Sequence, residues 1–345
     1  MEWNPERQLG EAMAAAAVVA RDYPDAGVYL GGATTAGLGT PMSDVDVFVV
    51  GRAGETRQVA VGERRADVEF VALERFAGDV RDFSRYRCHE DDFDQLARAS
   101  AKRLDVVVRF CLGRVVTDPH GRLGELRDEL RSSPGFARLV IARHSVDCGN
   151  LSEDLKGATA LRDRGSADFL AQQLLLQAAQ ALLTSLGDLY MGQKWVWRRW
   201  ERTAQKLAHP LLTGILTERG GAMATGHDVE AWVRRALHTA QDMLVMAATG
   251  TLYDPRPVDA AGARRDPWRM PLPLREGVTL SEPDGRNGVS CSDLGALLWG
   301  LSHGRTEEEA VSELMAVSGR PLPREEIAEY YDGLVACGVI TRAAS

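Results

Sequence analysis

The sequence predicts an α+β protein in three parts: an alternating α/β unit with a mixed sheet at residues 1–122, a helical unit at 123–252, and a small α+β unit at 274–345. Three observations predict it. Helix-forming and β-branched segments alternate through the first third of the chain. Long helical patterns with no obvious strand fill the middle. Tyr253–Pro273, with Asp-Pro-Arg-Pro, a double arginine and Met-Pro-Leu-Pro, has linker composition and separates the tail at 253–273. A chain of 345 residues also exceeds what one hydrophobic core normally holds.

Residues 8–21, dominated by Ala, Gln, Glu and Leu, predict a first helix. Val28–Leu30 is a short strand running into Gly31–Gly39, a loop with four glycines. Val45–Val50 and Arg65–Leu73 carry the β-branched bias of two more strands. Asp91–Arg103 reads as a helix, Leu104–Val116 as one or two strands, and Asp118-Pro119-His120-Gly121 as a turn. Ala167–Leu186 and Asp228–Ala248 are the clearest helices of the middle part. In the tail, Leu274–Leu280 and Gly288–Cys291 predict a small β element and Ser292–Leu301 a helix. Thr306 with Glu309 forms a capping box for a helix reaching about Ala316. Arg324–Cys337 is a last helix, stopped by Gly338 before the strand-like Val339–Thr341.

Composition narrows the function. Apolar and charged fractions of 45% and 26% are those of a globular protein rather than a disordered one. No stretch approaches the roughly 20 apolar residues of a membrane span, and Ala12–Ala20 lacks the basic flank of a signal peptide. Five scattered cysteines with no C-x-x-C pair argue against zinc and disulfides and point to the cytoplasm. A formal charge of −8 disfavours nucleic acid, whose binders need a basic footprint. Small-molecule or peptide substrates lead.

The chemistry concentrates in Gly31–Asp46. A strand delivers a glycine-rich turn whose bare backbone can offer N–H groups to phosphates. Asp44 and Asp46 follow two apart, so strand alternation turns both carboxylates to one face. Paired hard oxygens suit Mg²⁺, which takes its remaining ligands from water and substrate phosphate. Asp67 and Glu69 offer a third acid from a neighbouring strand. Such a set serves two-metal phosphoryl transfer, in which positioning and charge neutralisation supply most of the rate.

This stretch resembles the signature of the nucleotidyltransferase superfamily, the DNA polymerase β type that includes antibiotic and minimal nucleotidyltransferases. Gly32, Gly37, Pro41, Ser43, Asp44 and Asp46 match its pattern of a Gly-Ser or Gly-Gly turn followed by Asp-x-Asp. The resemblance covers the first 120 or so residues. It implies metal binding by Asp44, Asp46 and Asp67, with Asp67 preferred over Glu69 from the Arg-Arg-x-Asp-Val context. It implies nucleotide binding by Gly31, Gly32, Thr34, Thr35 and Ser43, with a nucleoside triphosphate, ATP by default, as donor. The family's phosphate-binding serine is Ala33 here, which leaves Thr34 or Thr35 to supply the hydroxyl.

Tyr190–Trp200 is similar to a Lys-Trp segment of bacterial nucleotidyltransferases, which implies Lys194 facing the triphosphate; Asp188 and Tyr190, by their place just upstream, are candidates for the acceptor pocket. Trp197 and Trp200 read as core anchors. Arg138 and His144 have a spacing found in HEPN-type ribonucleases, a pattern common by chance, and the remaining histidines read as surface or structural. The tail resembles PqqD-type domains, which take peptides on a sheet edge, with a winged-helix packing domain as the alternative. Three functions follow: nucleotidylation of a small hydroxylated molecule, nucleotidylation of a peptide or protein recruited by the tail, or a non-catalytic binding module.

Overall fold

Asn4 opens the first helix, its side-chain oxygen accepting from the N–H groups of Glu6 and Arg7, with Pro5 in the first helical position. The computed structural model describes residues 4–61, 64–207, 228–258, 260–282, 287–319 and 323–342. Its contacts divide the chain into two units. The first holds Met1–Tyr86, Gln95–Leu139 and Leu189–Gly192; the second holds Arg87–Asp94, Val140–Asp188 and Gln193–Ser345.

The first unit is built on a five-stranded mixed sheet in the order β3-β4-β2-β1-β5. Its strands are β1 (Gly27–Gly31), β2 (Val45–Val50), β3 (Arg57–Val61), β4 (Arg64–Val71) and β5 (Arg114–Thr117). β2 and β4 run parallel, and the other neighbours are antiparallel. One face packs on α1 (Pro5–Arg21): Ala12, Ala15, Ala16 and Val19 meet Val28, Leu30, Val45, Val47, Val49, Ala66 and Val68. Period-two alternation therefore sends Tyr29, Asp46, Phe48, Asp67 and Glu69 to the other face. There Tyr29 stacks on Phe48 at 4.6 Å and meets Phe110 edge-on at 5.0 Å.

One local expectation is corrected, and one strand was not expected. Leu104–Val116, expected as strands, is helical as far as Leu112 within α5 (Ala101–Leu112), and only the end forms β5. The run Val106-Val107-Val108 has strand propensity. However, the buried Leu104, Val107, Val108 and Cys111 follow helical spacing, and the Ser100 hydroxyl caps the helix by accepting from the Arg103 N–H. β3 carries no apolar alternation that sequence could have revealed, because it is an exposed edge strand paired only with β4. The expected strands at Val28–Leu30, Val45–Val50 and Arg65–Leu73 correspond to β1, β2 and β4.

The chain passes into the second unit within α7 (Pro134–Ala160). Here α8 (Arg164–Ser185), capped by Asp163, packs against the long helix α10 (Val229–Thr249), capped by Asp228, with α9 (Val196–Leu207) alongside α8. The tail holds a three-stranded sheet of β7 (Met270–Pro273), β8 (Val278–Ser281) and β9 (Val289–Cys291), where two segments were expected. Its helices are α11 (Asp293–Ser302), α12 (Glu307–Ser318) and α13 (Arg324–Ala336). Thr306 and Glu309 complete the expected capping box.

One hydrophobic cluster runs through Leu174, Trp200 and Trp232 of the helical segment and Val278, Trp299 and Tyr331 of the tail. Tyr253–Pro273, with its linker composition, is part of that structure. Tyr253 and Ala263 are buried, β6 (Arg264–Arg265) pairs with β10 (Ile340–Thr341), and β7 pairs with β8. The fully buried Arg265 bonds Asp242 Oδ1 on α10 at 2.7 Å and the Gly300 carbonyl at 3.1 Å. Pro, Gly and charge mark an irregular backbone, and that backbone is fastened by buried polar bonds.

Candidate active site

β1 leads directly into α2 (Gly32–Thr35), a single turn, and then a loop that reaches β2. Gly32 has φ of +78°, and a Cβ there would stand 1.8 Å from Asp46 Oδ2. Only glycine meets both conditions. Gly31 is opposite Asp46 in the β1–β2 register, and its missing side chain makes room for Phe48 and the Arg109 stem. Ser43 Oγ accepts from the Thr40 N–H at 2.8 Å, closing the turn that presents Asp44.

Asp46 is paired across the parallel β2–β4 register with Asp67, and Phe48 with Glu69. Asp46, Asp67 and Glu69 line a cavity of about 300 Å³ together with Thr56, Lys102, Asp105 and Arg109. Lys102, Asp105 and Arg109 come from one face of α5, at helical spacing. Arg109 Nη1 lies 3.1 Å from Asp46 Oδ1, and its Nε lies 2.7 Å from Asp105 Oδ2. At the exposed rim, Arg65 Nη2 is 2.8 Å from Asp44 Oδ2, and its Nε is 3.6 Å from Asp67 Oδ1.

Burial pushes the Asp46 carboxyl above its usual range; Arg109 pulls it back, and the neighbouring Asp44 and Asp67 push it up again. Asp44 is held below its usual range, first by a hydrogen bond from its own backbone N–H and then by Arg65. Burial also raises Asp105 against the pull of Arg109. Arg109 itself is raised: Asp105, Asp46 and Tyr190 together outweigh the effect of burial on its charge.

Asp67 Oδ1 is buried and accepts no hydrogen bond. A buried carboxylate oxygen with no hydrogen bond and only the long Arg65 ion pair, beside two further carboxylates, is a donor set that fits a hard divalent cation. Among the described residues, no three His, Cys, Asp or Glu side chains already stand in metal-holding geometry. In this arrangement Asp46 and Asp44 are engaged by Arg109 and Arg65 instead.

The hydroxyls weighed as substitutes for the missing serine have other roles here. Thr35 Oγ1 donates to the Gly32 carbonyl at 2.9 Å. Thr34 Oγ1 is buried without a hydrogen bond, beside Gly39. As in any helical turn, the first N–H groups of α2 have no intrahelical partner.

Lys194 is exposed in the 3-10 turn Gln193–Trp195 of the second unit, with its ammonium 5.4 Å from the Trp195 ring centre. Trp200 is fully buried and Trp197 meets it edge-on, as expected of core anchors. Asp188 is held by Arg199 at 3.0 Å and Arg202 at 2.6 Å. Tyr190 belongs to the first unit and is buried. His144 is buried and bonded to Gln177 at 3.2 Å, with its pKa pushed down to about 3 by burial and by the nearby Arg199. That is a core histidine rather than a nuclease base. His238 and His303 stack at 4.1 Å and are structural, His89 and His120 are exposed, and His209 and His227 lie outside the described residues.

Sequence reading missed Arg109, Asp105, Lys102 and Arg65. The first three were discoverable from their i, i+3, i+7 spacing had Leu104–Leu112 been read as helix.

Residues 13–101 match the model of the nucleotidyltransferase domain family, so the chain carries such a domain, with β1, β2 and β4 inside it. No match is found among curated proteins. Among solved structures, the chain is similar to a nucleotidyltransferase-like protein from Exiguobacterium sibiricum 255-15. That similarity has 13% identity and a TM-score of 0.39, over 69% of this chain and 76% of the other. No described helix is long and apolar enough to cross a membrane.

Proposed function

We propose that this chain uses its nucleotidyltransferase domain to move a nucleoside monophosphate, AMP by preference, from a nucleoside triphosphate to a hydroxyl of a small molecule. The observation that carries the reading is the parallel pairing of Asp46 with Asp67, directly behind the Gly31–Gly32 turn. In the reaction the acceptor oxygen bonds to the α-phosphorus, the α–β anhydride bond breaks, pyrophosphate leaves, and the hydroxyl proton passes to solvent.

Asp44, Asp46 and Asp67 would hold Mg²⁺, as their oxygen donors and the Asp67 Oδ1 that no hydrogen bond satisfies favour. When bound, such ions lower the pKa of the attacking hydroxyl and neutralise the departing pyrophosphate. The start of the Gly31–Gly37 turn presents backbone N–H groups to the phosphates, those of Ala36 and Gly37 being bonded within the turn, and Gly32 keeps that backbone against Asp46. Lys102 and Arg109 bring positive charge to the cavity wall. Thr34, Thr35 and Ser43 are nucleotide-side residues: Ser43 through the turn it closes, and Thr34 and Thr35 through backbone N–H.

A peptide or protein acceptor is the second reading, favoured by one observation. β9 pairs only with β8 among the described strands. Beside it lies a cavity of about 510 Å³ lined by Val289, Leu294, Leu298, Ile327 and Tyr330, among others. An open strand edge next to an apolar groove suits an extended peptide, as in a PqqD-like domain.

The test is a thermal-shift panel of the common nucleoside triphosphates with and without Mg²⁺, on the natural protein and on the Asp44→Asn/Asp46→Asn double variant. Metal-dependent stabilisation lost in the variant supports the reading. Equal stabilisation of both proteins removes the metal assignment, and none in either removes the nucleotide. For the second reading, Tyr330→Glu in the groove should cut turnover on the peptide acceptor at least tenfold and leave small-acceptor turnover intact.

A further inference from the structure

We infer that Arg109 competes with the divalent cation for Asp46, so that the cation enters this site together with a triphosphate rather than alone. The inference rests on the metal-site reading above and adds an order of binding to it. Its basis is geometric. Arg109 Nη1 stands 3.1 Å from Asp46 Oδ1, and its Nε is anchored at 2.7 Å by Asp105 on the same helix, one turn away. The Arg109 stem lies against the bare backbone of Gly31, whose own strand pairs with Asp46. The guanidinium is thus held from two sides, with little freedom to leave while Asp105 keeps its grip.

A cation bound to the same carboxylate oxygen would sit at about 2.1 Å from it. Two positive centres would then crowd one half-buried oxygen, in surroundings that screen charge less than water does. Occupation by one disfavours the other, and linkage makes the penalty mutual. Asp67 Oδ1, which no hydrogen bond satisfies, and Asp44 at the rim are the other oxygens of the set.

A triphosphate changes the balance. Its oxygens offer the guanidinium a bidentate anionic partner, the geometry for which arginine is suited. Arg109 and Lys102 line the same cavity as Asp46, so a triphosphate entering there meets both cations.

The experiment is a Mn²⁺ titration followed by electron paramagnetic resonance, with the free ion as the signal, on full-length protein. It is run first without any phosphate and then with Mn²⁺ added as its inorganic tripolyphosphate complex. Arg109→Gln should bind bare Mn²⁺ about tenfold more tightly than the natural protein, and should lose that advantage or fall behind with the tripolyphosphate complex. Because Arg109→Gln leaves Asp105 without its cation, Arg109→Gln/Asp105→Asn is measured beside it. This pair leaves no lone carboxylate at position 105 and should show the same gain.

Equal or weaker binding of bare Mn²⁺ by both folded variants overturns the competition. If Asp44→Asn/Asp46→Asn abolishes binding in that same experiment, the metal site itself survives. An undiminished advantage with the tripolyphosphate complex overturns the exchange. No Mn²⁺ binding to any protein under either condition overturns the metal site, and this inference with it.

Discussion

A methyl group on Gly32 would come within 1.8 Å of the Asp46 carboxylate, although the two residues are separated by a whole loop in sequence. The contact joins the end of β1 to Asp46 on β2, so the glycine turn and that carboxylate constrain each other. Gly32 also carries φ of +78°, so the position resists substitution for two independent reasons.

Gly32→Ala is therefore expected to lower stability by about 1–3 kcal/mol through backbone strain alone. Nucleotidyl transfer should fall further than stability explains, by about 100-fold or more, because Asp46 must move. Urea melts and kcat/KM on the same preparations separate the two effects. A variant that melts and turns over like the natural protein would show that the turn does not hold Asp46.

Asp67 and Glu69 can be distinguished directly. Asp67 is opposite Asp46 in the register, whereas Glu69 is opposite Phe48, two residues further along the strand. Asp67→Asn should abolish Mg²⁺-dependent stabilisation by triphosphate, and Glu69→Gln should retain it with less than a tenfold loss of turnover. The opposite ranking would transfer the third-ligand role to Glu69.

The buried Asp242–Arg265 pair ties α10 to the stretch with linker composition. Arg265 lies over the Trp299 ring at 5.0 Å, and Asp242 also accepts from the Tyr253 hydroxyl at 2.8 Å. Asp242→Ala strands a buried guanidinium and should cost about 3–5 kcal/mol in denaturant unfolding. Asp242→Leu/Arg265→Met removes both charges and should recover much of that loss. A single variant as stable as the natural protein would mean the pair holds nothing together.

Acid should weaken the second unit through its buried histidines. Burial lowers His144 to about 3, His238 to about 2 and His303 to about 4. Unfolded histidine takes up its proton near pH 6.5, as the folded forms do not. Folding therefore opposes protonation: the stability is present above about pH 6.5 and is lost as pH falls from there toward about 4. Melting temperatures followed across that window should fall. In His144→Gln, which keeps a polar group beside Gln177, the fall should be shallower. An equally steep fall would leave the decline to other groups.

Much of the first unit was legible because its signals are local. Strand alternation over Val45–Val50 and glycine at Gly31 and Gly32 are written within a few residues. The Thr306–Glu309 box is equally short-range. Leu104–Leu112 was not legible as helix, because its valines favour a strand in isolation and only packing against the sheet decides between the two patterns. With that helix unread, the face carrying Lys102, Asp105 and Arg109 was invisible.

The sequence by itself determined that a glycine turn is followed by two aspartates two residues apart; the strand starts only at Val45, so Asp46 is on it and Asp44, expected on the same strand face, belongs to the turn before it. Only the tertiary structure decided that Asp67 is the acid opposite Asp46, that Arg109 is the cation set against it, and that Thr34 has its hydroxyl enclosed. Register between β2 and β4 and the orientation of α5 are set by side chains distant in sequence. These non-local pairings fix which charges meet, and no window of neighbouring residues contains them.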